Sequence, residues 1–270
     1  MTVTRTTILI LTAIAAVLYV ILAILFADDY FTSDFWNPDA WFDSSLVSWA
    51  LFILIVAGGL FQASTIPDGG VRIDAGASTG QGQVDDPAWW KLFMGSTYLA
   101  VLWMPIRFYV GHEWIAAGEH KLRDSAWMDG GSALQGFWER AVAVPEAPAR
   151  PAITFDWFRD VLQYMLDNEW YTWFAKVVAV GEFLVGLGLL LGALVGIAAF
   201  FGTVLNFNFL LAGTTSTNPV LFGLGVFLVL GWKVAGWIGL DRFLLPLLGT
   251  PWNPGTVAEL VRDRDAAPQP

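Results

Sequence analysis

Cysteine is absent from the sequence, and histidine occurs only twice. The first absence excludes disulfides, cysteine-ligated iron–sulfur clusters, redox dithiols and thiolate nucleophiles together. The second restricts haem, because His112 and His120 stand eight apart on one stretch and cannot clamp an iron from opposite sides. No carboxylate–histidine cluster has metal-ligand spacing. No phosphate-binding glycine loop occurs either: Gly181, Gly186, Gly188 and Gly192 lie in an apolar run, where glycine serves helix packing. Charge is scarce as well. Charged residues make up 14% of the chain, only four are lysine, and the net charge is −10. An acidic surface speaks against nucleic acid and anionic lipid headgroups as partners. It suits a protein kept soluble at very high salt, where self-repulsion is screened, and so a halophilic source.

What is abundant is apolar. Hydrophobic residues are 56% of the chain and gather into long blocks. A hydrocarbon core of about 30 Å requires roughly 20 mainly apolar residues per helix. Blocks near 8–26, 46–63, 90–122, 173–191, 194–212 and 220–238 meet that requirement, which predicts an all-α integral membrane protein of about six transmembrane helices. The fifteen tryptophans read mainly as interfacial belt. The first block is as long as a full span, and Leu25 mismatches the small residue of a signal-peptide cleavage site, so it reads as a retained helix. Pro105 is expected to kink the third.

Residues 1–89 read as a two-helix membrane segment ending in a Gly-, Ser- and Asp-rich linker at 64–86. Residues 90–249 hold the last four helices, with a more polar insertion near 123–170, and 250–270 form a polar tail. Within the insertion, 132–142 and 155–170 carry helical patterning. Trp157–Phe158, Val161–Leu162 and Met165–Leu166 recur every four residues, a stripe that belongs on the bundle or at the membrane interface rather than in water. Asp28, Asp29, Asp34, Asp39 and Asp43 crowd the loop after the first span without a base. Arg5 before that span and Arg242, Arg262 and Arg264 after the sixth predict a multi-pass cell-membrane protein with both termini in the cytoplasm.

Ionisable residues inside a membrane cost about 2.5 to 3.5 kcal/mol each at mid-helix, so each needs a reason. Counted at 1.5 Å per residue from Phe93, Arg107 lies roughly 20 Å into the third span, and Glu182 roughly 14 Å into the fourth from the other side. Those depths allow a bidentate Arg107–Glu182 pair. Two roles stay open for it: a lock between helices, or an anion or quinone-carbonyl donor in Arg107 with a proton-handling Glu182. Arg107, Gly111, Trp114, Gly118 and Lys121 share one helical stripe that must face a partner helix or a ligand. Lys121 either snorkels or touches the ligand. Glu119 pairs with Arg123 one turn on, or with His112 at the mouth of the bundle. Asn206 bridges helices or lines the same pocket as Glu182.

These residues carry a resemblance. Residues 90–249 are similar to the DoxX/DoxD family of four-helix membrane proteins. The likeness rests on Arg107 with Gly111, Ala117–Gly118 and Lys121–Leu122 in the first core helix, and on Gly181–Glu182, Gly186, Gly188 and Leu191–Gly192 in the second. Asn206 in the third and Gly239–Leu240–Asp241–Arg242 after the fourth complete it. The long insertion looks more like the DoxD branch, and the first two helices fall outside the pattern. The family includes the membrane subunit of thiosulfate:quinone oxidoreductase. The resemblance therefore implies a DoxX-like four-helix bundle in a redox subunit, with quinone or a small sulfur anion as ligand and no covalently bound cofactor. Its site residues would be Arg107, Glu182 and Asn206, joined on the residue reading by His112, Trp114 and Glu119. With no cysteine, haem ligand pair or flavin motif, electrons would need a soluble or membrane partner subunit, or direct transfer to quinone. Two other readings stay open: a non-enzymatic scaffold in which the arginine–glutamate pair is structural, and a small-anion carrier.

Overall fold

The computed structural model describes residues 2–27, 30–73, 86–146, 148–250, 253–257 and 259. Asp28 and Asp29, most of the linker and Arg262 and Arg264 of the tail lie outside the described residues. The described chain is mostly α-helical. Its helices are α1 (Arg5–Phe26), α2 (Ser45–Ser64), α3 (Ala88–Gly95), α4 (Met104–Arg123), α5 (Ser125–Met128) and α6 (Ser132–Val142). They continue as α7 (Asp156–Asp167), α8 (Tyr171–Leu191), α9 (Val195–Leu211), α10 (Asn218–Leu230), α11 (Trp232–Ala235) and α12 (Asp241–Leu248). Helices α1, α2 and α8 are long and apolar enough to cross a membrane; α9 and α10 are apolar but shorter. Two antiparallel pairs of two-residue strands, Thr2–Val3 with Val71–Arg72 and Gly249–Thr250 with Asn253–Pro254, tie down loop ends.

Helix α1 begins at a reciprocal cap in which Thr4 and Thr7 each bond the other's backbone N–H. It packs on α2, on the 3-10 turns of Thr97–Trp103 and on α4, with Ala15, Ala16, Tyr19, Leu51, Ile55, Val101, Met104 and Phe108 forming one buried cluster. Arg5 fastens the start of α1 to the end of α2 through the Ile66 carbonyl at 2.8 Å and the Asp68 carboxylate at 2.8 Å.

The third apolar block is not one kinked helix. The chain leaves α3 at Ser96 in extended conformation, passes through 3-10 turns over Thr97–Trp103, and enters α4 with Pro105 in its first turn. There a missing N–H removes no helical hydrogen bond, so Pro105 starts a helix rather than bending one. The sixth block is also divided, by Gly231, between α10 and α11. In the insertion, α6 and α7 pack against each other and close a second core around Leu134, Trp138, Ile153, Phe158, Leu162 and Met165.

Candidate functional site

Helices α4 and α8 run antiparallel in close contact. A side chain at Gly118 would meet the Phe183 backbone nitrogen at 2.4 Å, and one at Gly186 the Ile115 nitrogen at 2.3 Å. The two glycines let the backbones approach where any larger residue would separate them. The stripe of Arg107, Gly111, Gly118 and Lys121 therefore faces α8.

This close approach carries Lys121, at the last turn of α4, to Glu182 in the middle of α8. Lys121 Nζ donates to Glu182 Oε2 at 2.6 Å, and Glu182 is almost fully enclosed. The ammonium also lies 5.1 Å from the Trp127 ring centroid, near enough for a cation–π contact. The pair stands in the wall of a cavity of about 470 Å³ lined also by Trp114, Trp127, Phe137, Arg140 and Phe209.

The expected Arg107–Glu182 pair does not form. Arg107 lies in the first turn of α4, at the other end of the bundle from Lys121. The depth count failed because it ran a continuous helix from Phe93 through the break at Ser96. Arg107 is buried against Gly192 and Gly239. Its Nη1 donates to the Ala235 carbonyl at 3.0 Å and its Nη2 to that of Ile238 at 2.9 Å. Asp241 supplies a nearby counter-charge while accepting from the Leu194 and Val195 amides at 2.5 and 3.0 Å. The carboxylate thus caps α9 and holds Leu194 in its left-handed conformation, φ 51°.

His112 and Glu119 do not pair with each other. Both grip Phe42 in the loop between α1 and α2: Glu119 accepts from its backbone N–H at 2.8 Å, and His112 Nε2 bonds its carbonyl. Since a carbonyl only accepts, His112 carries its proton on Nε2. Glu119 also receives Arg123 Nη2 at 2.7 Å, one helical turn away, and Arg123 in turn donates to the Pro38 carbonyl at 3.1 Å. His120 pairs with Asp43. Tyr30 in the same loop donates to Glu113 Oε1 at 2.6 Å. Burial, and then the Glu113 charge, push the Tyr30 hydroxyl well above its ordinary pKa, so it remains a donor. Glu113 borders two cavities, the one beside Lys121 and a loop-side one of about 430 Å³ lined by Tyr30, Asp34, Asp43 and His112.

Of the six residues singled out from sequence, Trp114 and Glu182 share the inner cavity, His112 and Glu119 hold the loop, and Arg107 sits at the opposite end. Asn206 is fully buried, and its amide finds no hydrogen-bond partner among the described residues. Trp127 and Arg140 were not anticipated, and Asp241 entered only through the Gly239–Leu240–Asp241–Arg242 motif, with no role assigned. The signal for Lys121 was present, three residues past Gly118 on the shared stripe; no local pattern marks the others. Among the described residues, no group of three or more His, Asp or Glu is placed to hold a metal. Comparison with known protein families, characterised proteins and solved structures finds no match to this chain.

Proposed function

We propose that the protein is a multi-pass membrane protein of the DoxX/DoxD type, the membrane subunit of a redox system that takes a quinone head in the cavity beside Lys121. Its six spans would be α1, α2, α4 with its 3-10 lead-in, α8, α9 and α10 with α11, both termini lying in the cytoplasm. The observation that carries the reading is the buried Glu182 paired with a half-buried Lys121 in the wall of an aromatic cavity. Ionisable pairs inside a membrane bundle mark ligand or proton sites far more often than bulk packing.

The residues fit such a head. It offers two carbonyl acceptors on a flat ring; Lys121 and Arg140 are donors, and Trp114, Trp127, Phe137 and Phe209 give apolar walls. The volume lies within the range of small-molecule sites. When bound, a quinone head accepts two electrons and two protons. Lys121 Nζ orients a carbonyl, and Glu182 holds a proton beside it. Glu113, shared by both cavities, connects the one beside Lys121 to the loop-side one, where Tyr30 donates to it. The chain offers neither cysteine nor a pair of opposed histidines to carry electrons, so these would come from a partner subunit or by direct transfer to the quinone.

A second reading, a non-enzymatic scaffold, is favoured by Arg107, whose two terminal nitrogens are both engaged by backbone carbonyls. Quinone content and redox response of the purified protein separate the two. The redox reading expects bound quinone in the wild type, lost in folded Lys121→Met and kept in whatever Arg107→Ala folds. Absence of quinone from all three, with Lys121→Met only less stable, would leave the scaffold.

A further inference from the structure

Helix α7 divides its residues into three faces. At about 100° per residue, Phe158, Leu162 and Met165 fall on one, Trp157, Val161 and Tyr164 on the neighbouring one, and Asp156, Asp160, Gln163 and Asp167 on a third. The first face is buried in the core it shares with α6. The second is apolar and uncovered, with Trp157 59%, Val161 48% and Tyr164 59% exposed. The third is acidic and exposed. The bundle thus covers only half of the apolar arc of α7, and in water the other half would stand bare.

This bare face is not isolated. The chain reverses sharply after α7, with Glu169 at φ 56° and the Trp170 amide bonded back to the Met165 carbonyl at 2.9 Å. The reversal sets Tyr164 against Trp170, ring centroids 5.9 Å apart, and Trp170 against Trp173 at 5.7 Å. Trp173 begins the outward stripe of α8, continued by Val177, Val180 and Leu184, which are exposed and apolar at helical spacing on a helix long enough to span a membrane. The uncovered face of α7 is continuous with that stripe through an aromatic bridge, and tryptophan and tyrosine favour the depth at which lipid headgroups meet acyl chains.

We infer that α7 lies in the plane of the bilayer as an interfacial anchor, with Trp157, Val161 and Tyr164 inserted among the lipid headgroups and its aspartates turned to water. The occupant of this face is lipid. The acidic third face favours zwitterionic or neutral headgroups over anionic ones, which would repel it. Docked this way, α7 seats α6, whose Phe137 and Arg140 line the cavity beside Lys121, against the membrane rather than above it. The insertion then covers that cavity from the water side, and a lipid-soluble ligand has its approach from the bilayer.

The inference rests on α8 as a membrane span, and not on which ligand the cavity takes. Because the chain has no cysteine, single cysteines can be placed without removing any. Trp157→Cys, Val161→Cys and Tyr164→Cys would be spin-labelled in the full chain in phosphatidylcholine nanodiscs, with Gln163→Cys and Asp156→Cys as water-facing references. Val177→Cys and Leu184→Cys on α8 would report the span. Collision with oxygen is enhanced in lipid, and collision with a water-soluble nickel chelate is enhanced in water. The anchor expects an oxygen-to-chelate ratio several-fold higher at 157, 161 and 164 than at 163 and 156. Ratios equal to that of Gln163→Cys at all three sites, with the α8 labels in lipid, would overturn the anchor alone; chelate-accessible α8 labels would overturn the span itself. Labels at 161 and 164 shielded from both reagents would overturn lipid as the occupant and indicate a second copy of the chain. If the Trp157 variant does not fold, the other two positions carry the test.

Discussion

The two ends of α4 hold a cation in opposite ways. At the first turn, Arg107 is enclosed by backbone: two carbonyls receive its terminal nitrogens, and Gly192 and Gly239 close over it. Fourteen residues on, roughly 21 Å along the axis, Lys121 meets a single carboxylate at the wall of a cavity. Carbonyls belong to the fold and cannot take up a proton or turn away. A carboxylate can do both, and the ammonium, whose other contact is a long 3.5 Å bond to the Ala117 carbonyl of its own helix, keeps a donor to spare. A cation set among apolar helices therefore becomes informative about function only once its acceptors are known. Here the more deeply enclosed one is a fastener, and the one that snorkelling could have explained faces open space.

The contrast can be broken at either end. The largest effect is expected at the fastener. Arg107→Ala removes two charge-assisted hydrogen bonds and leaves the Ala235 and Ile238 carbonyls bare, for a loss of about 4 kcal/mol. Thermal unfolding in a mild detergent would show it, and a loss under about 1 kcal/mol would mean that the carbonyls find other donors. At the open end, Lys121→Met leaves Glu182 buried without a partner and is expected to destabilise by about 3 kcal/mol. Lys121→Met with Glu182→Gln removes both charges and should return to within about 1 kcal/mol of the wild type, while ligand binding stays lost. A double variant no better than the single one would place the stability in the residues' shape rather than their charge.

The smallest effect concerns the loop. Tyr30→Phe removes the bond to Glu113 and should cost about 1 kcal/mol near neutral pH. The folded state holds the Tyr30 proton more tightly than the unfolded chain does, because burial raises its pKa. Stability from this group is complete below the unfolded tyrosine pKa of about 10 and declines as pH rises above it. The alkaline decline should be shallower in Tyr30→Phe than in the wild type. Equal slopes would show that Tyr30 ionises freely in the fold.

Much of this architecture could be read from local pattern. The apolar blocks mark α1, α2, α8 and α9 closely, Gly118 and Lys121 fall on the stripe that meets α8, and Glu119 and Arg123 are one turn apart on α4. What could not be read depends on contacts far apart in the chain. Nothing near Phe42 says that His112 and Glu119 will hold it, seventy and seventy-seven positions away. Asp241 looks like the end of a span, yet it caps a helix that starts forty-six residues earlier. The Arg107–Glu182 pairing failed through a small local event, the extended residue Ser96, because depth computed along an uninterrupted helix accumulates every residue that is not helical.

The Arg107 anchorage also couples distant parts of the chain. Its acceptors lie 128 and 131 residues downstream, and the cap of α9 follows just after them. Without those residues, Arg107 lacks both of its carbonyl acceptors and the first amides of α9 lack their carboxylate. Both defects disappear when the short segment from Ala235 to Asp241 is in place. That one segment therefore closes two distant parts of the fold together: if it is displaced, the guanidinium and the α9 amides lose their partners at once.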